Sequence, residues 1–87
     1  MDILAKVIQF TAETHGVDPK TITADTHFFN DFDDSLDYVE IMMRCEESFG
    51  IEIDEVEIER LNLFTVGQFA SYIGDRLKDL NILVRGV

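Results

Sequence analysis

Apolar residues recur along this chain at spacings of three and four, and no segment alternates apolar and polar over a strand's length. Ile3, Leu4, Val7, Ile8 and Thr11 predict a helix over residues 2–14, with Asp2 as its N-cap. His15-Gly16 ends it, Gly16 supplying a left-handed backbone. Residues 17–33 read as a long loop with a turn at Asp18-Pro19 and apolar anchors at Val17, Ile22, Phe28 and Phe29, of which Phe28 should pin the loop to the core. A second helix is expected over 35–49, with Asp33 and Asp34 at its positive end and Gly50 after it. Ile51 and Ile53 then return to the core. A short helix over 55–61 follows, capped by Asp54, with Val56 and Leu61 turned inward. The last helix runs over 66–79, behind the capping box of Thr65 and Gln68, on the stripe Val66, Phe69, Ala70, Ile73 and Leu77. The expected fold class is all-α: a four-helix bundle of three longer helices and one short one, with residues 1–80 as the domain and 81–87 as a C-terminal tail.

The second helix carries more apolar surface than one buried stripe uses. With Leu36 at 0° and ~100° per residue, Tyr38, Ile41, Met42, Cys45 and Phe49 fall between about 140° and 240°. Leu36, Val39 and Met43 fall between about 300° and 0°, beside Glu40, Glu46 and Glu47. The first group is a core stripe. The second is an apolar strip framed by acids, the anatomy of a protein-docking surface whose partner is basic with a small apolar pocket.

Charge sharpens that reading. The formal net charge of the 87 residues is −11. Residues 31–59 hold twelve of the eighteen acids and a single base, Arg44, so the remainder of the chain is neutral. Such a field repels nucleic acids and anionic membranes and steers basic protein surfaces. The chain is too small for a deep catalytic site, and no residues form a base, nucleophile and oxyanion set. One cysteine excludes an internal disulfide and multi-cysteine zinc sites. No apolar run approaches a membrane span, and the opening residues lack a signal-peptide pattern, so a cytoplasmic monomer is expected.

At the start of the two-faced helix stands Asp34-Ser35-Leu36-Asp37. A serine there is ordinarily a cap. Together with the segment from Tyr38-Val39-Glu40 through Glu46-Glu47-Ser48-Phe49-Gly50-Ile51-Glu52-Ile53, it makes residues 3–77 resemble the acyl carrier protein family. The resemblance implies a four-helix bundle of acyl-carrier type. It implies that Ser35 bears 4′-phosphopantetheine, transferred from coenzyme A by a Mg²⁺-dependent holo-synthase, a phosphopantetheinyl transferase. The arm's thiol would carry acyl intermediates as thioesters between enzymes of fatty acid, polyketide or related biosynthesis. The chain itself would be a carrier rather than an enzyme. Asp34, Leu36, Asp37, Val39, Glu40, Met43, Glu46 and Glu47 match the family's partner-recognition positions, for acyl-loading and acyl-processing enzymes with basic patches. Phe32-Asp33 stands where the family has a glycine and a small residue, and the chain around Asn62-Leu63-Phe64 is about two residues longer than usual, departures that suit a specialised carrier.

Other readings of the same residues are weaker. An EF-hand loop begun at Asp31 would have Leu36 in place of its glycine and Met42 in place of its bidentate glutamate, leaving only weak surface binding of divalent ions by clustered carboxylates. Cys45 lies in the core stripe and reads as a buried structural thiol, with His15 and His27 in loops far from it in sequence. The alternative of another class is an unmodified acidic interaction or regulatory module docking on a basic partner, in which Ser35 has no special role.

Overall fold

The computed structural model describes the backbone of residues 2–29, 31 and 35–85, and the side chains of 2–29, 31 and 38–80. Four α-helices account for its regular structure: α1 (Ile3–His15), α2 (Ser35–Phe49), α3 (Glu55–Arg60) and α4 (Val66–Arg85), with a single 3₁₀ turn at Pro19–Thr21 in the loop between α1 and α2. Among the described residues, strand-like pairing is limited to one isolated bridge, between His27 and Thr65.

Local chemistry sets the ends. Asp2 accepts from the Ala5 N–H at the head of α1, and Gly16 closes the helix at φ 67°, its N–H donating to the Ala12 carbonyl. Asp18 caps the Pro19 turn by accepting from the Lys20 N–H. Asp54 accepts from the Val56 and Glu57 N–H groups at the start of α3. At the start of α4, the Gln68 N–H donates to Thr65 Oγ1 and the Thr65 N–H donates to Gln68 Oε1, the reciprocal pair expected of a capping box.

The long loop is fastened to the head of α4 by backbone hydrogen bonds. Phe28 N–H donates to the Phe64 carbonyl at 2.9 Å, Val66 N–H to Thr26 at 2.9 Å and Gly67 N–H to Ala24 at 2.8 Å. The last two use N–H groups that a helix start leaves without partners, so loop and helix satisfy each other. The approach is close enough that a Cβ at position 67 would lie 3.0 Å from both the Ala24 Cβ and its carbonyl oxygen, which explains the glycine. Phe28 is 1% exposed and its ring lies 5.6 Å from Phe69 and 5.1 Å from Tyr38, so it pins the loop as expected.

One core cluster collects Val7 and Ala12 of α1, Tyr38, Ile41, Met42, Cys45 and Phe49 of α2, Ile58 of α3, and Val66, Phe69, Ala70, Tyr72 and Ile73 of α4, together with Ile22 and Phe28 from the loop. The whole predicted inner stripe of α2 is therefore buried. Thr11, also buried, satisfies its hydroxyl by donating to the Val7 carbonyl at 2.7 Å.

Several expectations are corrected. Val56 and Leu61 face solvent, at 72% and 46% exposure, while Ile58 is fully buried. Val56 and Ile58 are two residues apart, ~200° around a helix, so only one of them faces in. Leu61 lies past the helix end, as its C-cap. Val17 is exposed rather than anchoring, and Leu4, one of the apolar positions that set the helical spacing of α1, is exposed at the rim of a surface hollow shared with Gly67 and Ser71 of α4. Phe29 is partly exposed yet packs its ring 4.9 Å from Tyr38 and 5.3 Å from Phe64. The backbone of α4 continues to Arg85, beyond the expected end at 79.

Replacement of Phe28 by Ala is expected to cost about 3–5 kcal/mol, read as a lower urea midpoint, because it empties the junction of loop, α2 and α4. Burial, and after it the Glu46 charge, push the Cys45 thiol up to about 12. Its unfolded-state pKa is ~8.5, so its contribution to stability is complete below that pH and drains away as pH rises towards the folded value. A thiol reagent at pH ~8 should label Cys45 slowly in the native protein and rapidly in urea, and above pH ~9 the wild type should lose stability more steeply than Cys45→Ala.

Candidate functional site

Burial of one stripe decides which way the rest of α2 points. Tyr38, Ile41, Met42, Cys45 and Phe49 are all turned into the core, so Val39 and Met43 project outward, at 40% and 60% exposure. Glu40 and Glu47 are exposed with them. The structure thus brings together, on one solvent face, four of the positions singled out from the sequence. Asp34 lies outside the described residues. So do the side chains of Ser35, Leu36 and Asp37, whose backbone forms the opening turn of α2.

The two long edges of this face differ. On one, the Arg44 guanidinium bonds the Glu13 carboxylate of α1 at 2.9 Å and lies 3.8 Å from Glu40, one helical turn back. Gln9 donates to the other Glu13 oxygen. The Gln9 amide, and after it Arg44, hold the Glu13 carboxyl below its usual value. The one base of the acidic third is thus tied down against α1. On the other edge Glu46 is half-buried, and its Oε2 accepts from the Ile53 N–H at 2.9 Å. Its backbone carbonyl accepts from Gly50 and Ile51. Glu46 therefore closes the turn between α2 and α3, a structural duty that its spacing in the sequence did not reveal.

One surface residue was missed. Val56 stands exposed on α3, with Glu55 and Glu57 as its chain neighbours, and extends the set of apolar side chains with acidic company. The available signal was the ~200° between positions 56 and 58, which lets only one of them reach the core. Beneath the first turns of α2, Phe28, Phe29, Tyr38 and Phe69 form a packed ring cluster with centroids 4.9–6.2 Å apart. Behind α3, Tyr72 receives a hydrogen bond from the Asp54 N–H on its hydroxyl, tying α4 to the start of the short helix.

Among the described residues no group of three or more His, Cys, Asp or Glu is placed to hold a metal ion, and no helix is long and apolar enough to cross a membrane. The residues at the head of α2 do fit a covalently held phosphodiester. Ser35, a hydroxyl residue, is the first residue of a fifteen-residue helix. There the N–H groups of the opening turn have no partner within the helix, and its dipole favours an anion.

Comparison with known proteins gives this arrangement its context. Residues 5–73 match the family described as phosphopantetheine attachment site. The acyl carrier protein of Lactobacillus acidophilus is 41% identical over 73 residues, covering 83% of this chain and 89% of that protein. Those of Lactobacillus johnsonii and Rubrobacter xylanophilus are each 40% identical over 73 residues, again 83% of this chain, and 89% and 88% of theirs. With its four-helix architecture and an identity of this extent, the chain belongs to the phosphopantetheine-attachment family of acyl carrier proteins.

Proposed function

We propose that this chain carries acyl groups on a 4′-phosphopantetheine arm attached to Ser35, and that the outer face of α2 is where its partner enzymes dock. The observation that carries the reading is the exposure of Val39 and Met43 beside Glu40 and Glu47, on the helix that Ser35 begins. Met43 is eight residues beyond Ser35, about 12 Å along the axis, so an enzyme gripping this strip has the attachment point within its footprint. Ser35 also lies within the span that matches the family.

The arm supplies a terminal thiol that holds acyl groups as thioesters. The chain's own residues supply position and recognition. Ser35 offers its hydroxyl to a phosphopantetheinyl transferase, which uses coenzyme A and Mg²⁺. Asp34, Leu36 and Asp37 flank it as the near end of the recognition surface. Val39 and Met43 desolvate against an apolar pocket, Glu40 and Glu47 meet basic side chains at its rim, and Glu46 secures the turn behind them. Exposed Val56 supports extension of the same surface onto α3. The protein acts in this reading as a substrate of its modifying enzyme and a carrier for others, in the cytoplasm and as a monomer, serving fatty acid, polyketide or related biosynthesis. Its clustered carboxylates bind divalent ions weakly, without a dedicated site.

Co-expression with a phosphopantetheinyl transferase is expected to raise the intact mass by one phosphopantetheine unit, and Ser35→Ala to abolish the gain. A wild-type mass left unchanged by several broad-specificity transferases would favour the unmodified docking module. Glu40→Lys and Glu47→Lys should each slow modification by roughly three- to tenfold at low salt, mostly in association. Added NaCl or Mg²⁺ should raise the melting temperature, since twelve acids lie between residues 31 and 59.

A further inference from the structure

Between residues 31 and 59 stand twelve acids and one base, and a docking face that works by negative charge has no evident use for the base. Counted from Leu36, Arg44 falls at about 80°, just outside the apolar strip of α2. It lies on the side of the helix that meets α1, where its Nη1 donates to Glu13 Oε2 at 2.9 Å. Nη2 stands 3.8 Å from a Glu40 oxygen, beyond hydrogen-bond length. Among the described residues the Glu13 contact is thus its one hydrogen bond, and most of the five guanidinium N–H groups are uncommitted.

The pair with Glu13 is exchangeable. Its side chains are 36% and 50% exposed, and a pair so placed is worth little by itself. Gln9 donates to the other Glu13 oxygen at 3.0 Å, and the Lys6 charge acts on the same carboxylate, so Glu13 is not stranded when the guanidinium turns away. Beside the pair lies a surface hollow of about 300 Å³, lined by Phe10 of α1 and by Arg44, Glu47 and Ser48 of α2. Lys6 Nζ lies 5.8 Å from the centre of the Phe10 ring, so a second cation stands against a residue of this hollow. Glu47 belongs to both the hollow and the outer face of α2, so the two surfaces are continuous.

We propose that Arg44 is a specificity-determining residue, which admits partner enzymes that bring a carboxylate side chain to the hollow on the α1 side of the docking face and disfavours partners that are basic there. The inference rests on the carrier reading and deepens it by naming the chemistry one edge of the partner must have. A Lys or Arg arriving at this edge meets a like charge, and Arg44 also weakens the pull of Glu40 on it. A Glu arriving there lays its stem against Phe10 and takes the guanidinium from Glu13, which falls back on Gln9 and Lys6. The matching surface is therefore basic opposite Glu40 and Glu47, apolar opposite Val39 and Met43, and acidic opposite Arg44.

The test follows modification of the full chain by a broad-specificity phosphopantetheinyl transferase with coenzyme A and Mg²⁺, scored by intact mass as kcat and KM at low and high NaCl. Arg44→Gln is expected to raise kcat/KM by roughly two- to fivefold at low salt, through KM, with the gain vanishing at high salt. Lys78→Gln, which changes the net charge equally but on α4, should match the wild type. Basic residues at the rim of the transferase are then changed to Glu one at a time. At one rim position the order should reverse, the wild type being modified faster than Arg44→Gln, a coupling that loss of a mere tether between α1 and α2 would not produce. Equal rates for wild type and Arg44→Gln, an equal gain in Lys78→Gln, or no rim position that reverses the order would each overturn the inference and leave the carrier reading intact. A wild type that never gains the arm's mass would overturn both.

Discussion

The outer face of α2 follows from the burial of a single stripe on that helix. Five side chains, Tyr38, Ile41, Met42, Cys45 and Phe49, occupy the core, and a helix with one side committed has no choice about the other. Val39, Glu40, Met43 and Glu47 are carried outward by that commitment. A one-residue shift in the helical phase would rotate every position by ~100° and scatter the strip. The core therefore does more than stabilise the fold; it determines which residues the proposed docking face presents.

The rest of the bundle serves to hold α2 in that phase. Phe28 and Phe29 bring the long loop against Tyr38, and the loop in turn is stitched to α4 through Phe28, Thr26 and Ala24. Arg44 ties the helix to α1, and Glu46 ties its end to the chain leading into α3. Fixation comes from rings at the start, an ion pair along one side and a carboxylate-to-backbone bond at the finish. The ion pair is solvent-exposed and contributes little energy, so its effect is chiefly on orientation.

Much of this was legible in the sequence, and what was missed has a common cause. The limits of α2 were read exactly because Gly50 marks its end and its stripe runs for four turns. The caps at Asp2, Asp54 and Thr65 were likewise visible, since capping depends on residue type at a fixed offset. The inward residue of α3 was misread because a helix of six residues offers too few turns for periodicity to decide between Val56 and Ile58. The duty of Glu46 escaped notice because a side chain reaching seven residues ahead to Ile53 leaves no local pattern. The loop's backbone stitching to α4 was equally hidden, since main-chain bonds carry no side-chain signature; Gly67 was its one trace. The end of α4 was placed early because its apolar stripe stops at Leu77, whereas its backbone does not. At the proposed attachment position, the motif around Ser35 was plain in the sequence, and the side chains of 35–37 lie outside the described residues.

The pairing of Arg44 with Glu13 has one more consequence. A helix clothed only in carboxylates would look much the same rolled left or right about its axis. Here one flank carries the Arg44 guanidinium, braced against Glu13 of α1, while the flank opposite carries the half-buried Glu46 carboxylate, turned back onto the Ile53 N–H. That asymmetry gives the helix a handed charge profile, a keyway rather than a smooth rod, so that a cationic groove fits it in one roll angle and mismatches in the other.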